Sequence, residues 1–214
     1  MHPTPSATDR TYQFTKEAIL SRHYAGGELI SEGDIAARVG VSRTPVREAL
    51  LRLEAEGLVR LYPKRGALVV PVSQQEVDDV IETRRLVEGF TAERAAAAPT
   101  ERRRELVARL GALLERMTER APADRREFVL ADREFHRAIV TAAGNQILTA
   151  LYESLRDRQL RMMEEGVRTA ERMRSSIEDH GAIRAAIEAG DAARARAVVH
   201  SHIDAAAALL GARR

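Results

Sequence analysis

Two patterns of apolar positions divide the chain. From Thr11 to Val72 they recur first at helical spacing and then at alternate residues, and from Gln74 onward only the helical spacing remains. Phe14, Ala18 and Ile19 share one side of an amphipathic stretch, Thr11 to His23, which Gly26 and Gly27 end. A second short helix is expected over Glu32 to Arg38, stopping at Val39-Gly40, because glycine tolerates the left-handed conformation that closes a helix. Ser42 fits an N-cap, and the helix that follows to Glu56 has Val46, Leu50 and Leu53 on its inward stripe. After Gly57 the period drops to about two residues. The runs "LVRLYP" and "GALVVPV" flank the turn Pro63-Lys64-Arg65-Gly66, which predicts a small β-hairpin. Helices followed by a hairpin wing are the element order of a winged helix-turn-helix.

Beyond Gln74 no alternation of useful length appears, and breaks are expected near Pro99-Thr100, Pro122, Gly144-Asn145, Gly166 and Gly190-Asp191. The predicted fold class is therefore mainly α, with a winged helix-turn-helix joined to an all-α helical bundle. The expected organisation is a flexible start over residues 1–10, a small mixed domain over 11–73 and a helical domain over 74–214.

Composition narrows the chemistry. The chain has no cysteine, which excludes disulfides and thiolate metal sites and leaves oxygen and imidazole as the available ligands. No apolar run approaches the roughly 18 residues of a membrane span, and the N-terminus lacks a basic segment followed by an apolar one. A cytoplasmic protein without a membrane partner is expected. The formal net charge is only +2, so the local distribution of charge carries the information.

That distribution is uneven. Between Arg38 and Arg65 there are seven basic residues and three acidic ones. On the third helix Arg43 and Arg47 are four residues apart and point the same way, with Thr44 beside them at the N-terminal end. An apolar back and arginines at the leading end suit a recognition helix, whose guanidinium groups reach guanine edges or phosphates in the major groove. Amides at the Ser42 end favour a phosphate. Lys64 and Arg65 at the hairpin tip, beside Gly66, suit a minor groove or a flanking phosphate backbone.

Gly40 to Val59, with its core "RTPVREAL", resembles the helix-turn-helix signature of the GntR family of bacterial transcription regulators, and the wing "PKRGALVV" is similar too. The resemblance implies a homodimer on palindromic operator DNA, with Arg38, Ser42, Arg43, Thr44, Arg47, Lys64, Arg65 and Gly66 as the contact set. One departure is Gly33, which stands where some relatives carry a long, sometimes basic side chain.

The helical region holds a second constellation. Asp132 and His136 are four residues apart and fall on the apolar stripe of Phe128, Val129, Phe135, Ile139 and Ala143. His180 lies on the stripe of Ile177, Ile183 and Ile187. His202 flanks that of Val199, Ile203 and Ala206, while His200 points the other way. One aspartate and three histidines are costly to bury separately but natural ligands for one divalent ion. Individual hydrogen bonds in the core are the alternative.

"DREFH", "DHGAI" and "HI" resemble the landmarks of the C-terminal domain of the FadR subfamily, in its metal-containing branch. That resemblance implies a zinc, nickel or manganese ion held by Asp132, His136, His180 and His202, and a small organic-acid effector beside it. It also implies effector roles for Arg84, which an ordinary pairing with Glu88 would equally explain, and for Asn145, whose position at a helix junction also suits a cap. The expected function is a DNA-binding repressor, not an enzyme, controlled by a small carboxylate metabolite; the alternatives are a regulator sensing the ion itself and, ranked last, a metalloenzyme fused to a DNA-binding domain.

Overall fold

Ser6 starts the first helix, its hydroxyl accepting the Asp9 amide at 3.0 Å. In the computed structural model, which describes residues 5–120, 124–166 and 169–211, α1 spans Ala7–Leu20. It thus begins four residues before the expected Thr11, and Ala7 to Arg10 are helical where a flexible start was expected. Its buried residues are Thr11, Tyr12, Thr15, Ala18 and Ile19, while Phe14 is only half-buried.

The chain divides into two compact units, Met1–Ser73 and Gln74–Arg214. In the first, α1 is followed by β1 (Leu29–Ile30), α2 (Glu32–Val39), α3 (Arg43–Ala55), β2 (Val59–Tyr62) and β3 (Gly66–Val69). Gly40, at φ 72°, closes α2 as the sequence predicts. Val46, Ala49, Leu50 and Leu53 form the buried stripe of α3 and join Ile19, Ile35, Leu58, Val59, Ala67 and Val69 in one core. The polar ties between α1 and α3 include Arg52 to Asp9 at 2.9 Å and Thr8 to Glu48 at 2.6 Å.

The strands form an antiparallel sheet in the order β1-β3-β2, with Tyr62 opposite Gly66 and Val59 opposite Val69. Strand β1 was not foreseen: two residues are too few to show alternation. It sets a steric condition on the wing. A Cβ on Gly66, whose φ is 108°, would stand 2.2 Å from the Ile30 carbonyl oxygen. Gly66 is therefore fixed by the β1-β3 pairing.

The second unit contains α4 (Gln74–Ala96), α5 (Thr100–Arg120), α6 (Arg125–Ala142), α7 (Gln146–Ser154), α8 (Arg156–Gly166), α9 (Ala170–Ala189) and α10 (Ala192–Gly211). Helix α4 packs on α10 and α6, α5 packs on α6 and α9, and α10 returns along α9. Phe128, Phe135 and Ile139 of α6 are buried together with Leu110, Met117, Ile183, Ile187 and Ile203. The expected breaks near Pro99, Gly144, Gly166 and Gly190 coincide with helix ends. The one near Pro122 lies outside the described residues. A further break at Leu155 separates α7 from α8 without glycine or proline: the residue keeps right-handed backbone angles (φ −83°, ψ −6°), so composition leaves no mark of it. Among the described residues no helix is long and apolar enough to cross a membrane.

Candidate functional site

In the first unit the leading end of α3 is open to solvent. Ser42 is the N-cap residue but makes no side-chain cap bond, and Arg43, Thr44 and Arg47 are exposed. Arg47 is not free. Its Nε donates to both carboxylate oxygens of Glu32, the first residue of α2, at 3.0 and 2.9 Å. Arg43 has a different surrounding: its Nη2 lies 3.8 Å from where a Gly33 Cβ would stand. Arg38 is exposed, with Nη1 at 3.1 Å from His23 Nε2. At the wing tip Lys64 and Arg65 are exposed, and Lys64 takes the left-handed conformation at φ 62°. Gly66 was expected to admit a close DNA backbone, but the backbone that it admits in this structure is that of β1.

In the second unit Asp132 and His136 on α6, His180 on α9 and His202 on α10 converge. All four are buried, and each offers a ligand atom such that these atoms lie within 4.8 Å of one another. His136 Nε2 and His180 Nε2 are 3.0 Å apart, and His180 Nε2 is 3.3 Å from Asp132 Oδ1. Two nitrogens bound at about 2.1 Å to one ion and roughly at right angles would be separated by about 3.0 Å. The donor set and its spacing fit a first-row divalent ion.

The outer ring nitrogens have their own neighbours. His202 Nδ1 is 3.3 Å from Asp179 Oδ2, and His180 Nδ1 is 3.5 Å from Ser176 Oγ. His136 Nδ1 lies 2.8 Å from Glu88 Oε2, close but out of line for a hydrogen bond. Such partners orient imidazoles and leave Nε2 for a metal. Burial, followed by the neighbouring His202 and His136, pushes the His180 pKa well below its ordinary value; burial lowers that of His202 as well, against an opposing hydrogen bond to Asp179. Both effects favour the neutral ring that ligation requires.

Arg84 is buried on α4 and paired with Glu88, Nε to Oε1 at 2.6 Å. Burial alone would raise the Glu88 pKa, but the charges of Arg84 and then His136 outweigh it and hold the carboxyl below the usual range. Glu88 thus joins the arginine to the histidine cluster. Sequence reasoning considered it only as a partner for Arg84; its place on the buried face of α4 was the available signal. Ser176 and Asp179 were missed, although one lies a helical turn before His180 and the other beside it. Asn145 takes the cap position that its place at a helix junction suits. Its Oδ1 accepts the amides of Ile147 and Leu148 at 3.0 and 3.2 Å, so the side-chain oxygen is committed to capping α7 and the geometry gives an effector role no support. His200 stands away from the cluster, with Nε2 at 3.1 Å from the Arg85 carbonyl.

A winged helix-turn-helix with a basic leading end, carried by a chain with an all-α second unit, defines the class as a helix-turn-helix transcription regulator. Residues 7–69 match the bacterial regulatory proteins of the gntR family, and residues 79–205 match the FCD domain. The chain belongs to the GntR family, in its FadR subfamily.

A Streptomyces ambofaciens protein named as an uncharacterized HTH-type transcriptional regulator in an unstable DNA locus is 30% identical over 207 residues, covering 96% of this chain and 86% of its own length. The gluconate operon transcriptional repressor of Bacillus licheniformis is 32% identical over 139 residues, 64% of this chain and 56% of that one. A solved chain from Rhodococcus sp. RHA1, described as a candidate GntR transcriptional regulator, superposes with a TM-score of 0.78 at 25% identity, covering 98% of this chain and 100% of its own.

Proposed function

We propose that this regulator is a cytoplasmic repressor that binds operator DNA as a homodimer and is controlled by a small carboxylate metabolite held beside a divalent ion. The observation that carries the effector half is the buried convergence of Asp132, His136, His180 and His202. Zinc is the first candidate, with nickel or manganese as alternatives of the same ligand chemistry. When bound, the ion supplies a Lewis-acidic position for an effector oxygen. Arg84, paired with Glu88 in this structure, is the cation nearest in role to a second effector carboxylate oxygen.

On the DNA side Arg38, Ser42, Arg43, Thr44 and Arg47 form the groove-facing set, and Lys64 and Arg65 contact the flanking backbone. Leu86 and Phe90, exposed and one turn apart on α4, favour a second copy as partner. Different effector affinities for two arrangements of the dimer would change its operator affinity.

A catalytic role is disfavoured by the state of Glu88. It is a buried carboxylate close to the cluster, but its Oε1 is held by Arg84 Nε at 2.6 Å, so it is engaged in an ion pair instead of standing free as a general base.

Two measurements test the reading. Elemental analysis should find about one transition metal per chain, lost in an Asp132→Ala/His136→Ala variant. Arg43→Ala and Arg47→Ala should each weaken operator binding by about 1–3 kcal/mol where the residue reads a base. Absence of metal in both folded proteins removes the effector half, and unchanged operator affinity in both arginine variants removes the recognition helix.

A further inference from the structure

Glu32 is out of place electrostatically. The leading end of α3 that it meets carries Ser42, Arg43, Thr44 and Arg47, neutral or cationic as a surface approaching phosphates requires, and of the two carboxylates in the first turn of α2, Glu32 and Asp34, Glu32 is the one that pairs with it. A carboxylate here repels the duplex unless it does something for an arginine. Its geometry is specific: both oxygens receive the Arg47 Nε hydrogen at 3.0 and 2.9 Å, and its side chain is the less exposed of the two, at 26% against 65%.

A guanidinium has five N–H donors in one plane. Anchoring the Nε edge fixes the direction of the plane and leaves the Nη groups to present a fork. A guanine offers O6 and N7 to such a fork in the major groove. An arginine without an anchor instead swings to whichever phosphate is nearest, which adds affinity without sequence information.

The neighbouring residue is consistent with divided roles. Gly33 places no side chain where the Arg43 guanidinium lies, and among the described residues Arg43 has no carboxylate partner. The start of α2 therefore holds one recognition-helix arginine and leaves room for the other.

We propose that Glu32 is a specificity-determining positioning residue, which holds Arg47 as a fixed fork for one guanine of the operator. The proposal rests on the reading of α3 as the recognition helix. It is distinct from a helix-terminus role for Glu32, because Asp34 also supplies negative charge to the first turn of α2.

The test is selection of binding sites from a randomised duplex pool by the full-length wild-type chain, Glu32→Gln, Glu32→Asp and Arg47→Lys. The wild type should enrich a site with a fixed G·C pair that Arg47→Lys relaxes. Glu32→Gln should relax the same position, with discrimination against the wrong base falling by about tenfold, while affinity for a scrambled duplex rises. Glu32→Asp keeps the charge but shortens the reach, and should relax that position too.

Equal gains by Glu32→Gln on the selected and scrambled duplexes, with every position still read, would make Glu32 a simple repulsive charge and overturn the proposal. So would a Glu32→Asp protein that selects like the wild type while Glu32→Gln does not. A wild-type chain that enriches no sequence overturns the recognition-helix reading together with this one.

Discussion

His136 Nε2 of α6 and His180 Nε2 of α9 face each other at 3.0 Å inside the helical unit. Without an ion, one of these nitrogens must carry a proton for the pair to attract; with one, both lone pairs have a common target. Metal binding should therefore stabilise the fold. At a free zinc concentration about 100 times the dissociation constant, the gain is about 2.7 kcal/mol. For a domain of this size that corresponds to about 5–10 °C in Tm. Calorimetry of the chelator-treated protein, with and without zinc, should show that rise for the wild type and none for His180→Ala.

The same histidines set a pH dependence. Burial first, and then the closeness of the His202 and His136 rings, keeps the folded-state pKa of His180 well below the 6.5 of a free ring, and burial lowers that of His202 also. As pH falls below about 6.5 the unfolded chain gains protons that the folded chain does not, so stability decreases on acidification until the folded-state pKa values are reached. Glu88 adds an acid-side loss only around and below its ordinary 4.5, because its folded-state pKa is depressed. The window from pH 6.5 to 5 thus isolates the histidines. The Tm of metal-free protein should fall across it, and less steeply in His180→Phe. A flat profile in the wild type would show that burial does not hold the rings neutral.

Arg84 and Glu88 make a buried pair in which neither charge is dispensable alone. Arg84→Met strands a carboxylate in the core, which should cost about 3–5 kcal/mol. Adding Glu88→Gln removes the stranded charge and should restore part of that loss. Urea denaturation of the wild type, both single variants and the double variant closes the cycle, and an additive result would mean that the two side chains do not act as a pair.

The patterns of the chain revealed what repeats and hid what is short or made by tertiary contact. Helices α2 and α3 and the wing were legible because cap, period and turn residues agreed. The direction of Asp132, His136, His180 and His202 was legible because each sits on or beside an apolar stripe. The break at Leu155 was not legible, since the backbone there stays right-handed and needs no special residue. Neither were the Glu32–Arg47 and Glu88–His136 contacts. Each joins helices that are remote or differently oriented, and spacing within one helix says nothing about them.

Gly66 and Gly89 separate two reasons for a glycine. A Cβ on Gly66 would stand 2.2 Å from the Ile30 carbonyl oxygen, and one on Gly89 would stand equally close, 2.2 Å, to His200 Nε2. The obstacles differ in kind. Ile30 O is backbone in the β1-β3 ladder, and Gly66 also has φ 108°, so alanine there must both strain the turn and push a strand away. Gly66→Ala should cost at least about 2 kcal/mol and weaken DNA binding by displacing the wing. The His200 ring is the end of a rotatable side chain, and Gly89 has helical neighbours on α4, where alanine is worth about 0.5–1 kcal/mol over glycine. That gain offsets the lost contact between His200 and the Arg85 carbonyl, so Gly89→Ala should stay within about 1 kcal/mol of the wild type. Thermal denaturation of both variants decides. A Gly66→Ala protein as stable as the wild type would mean that β1 is not held against the wing in solution.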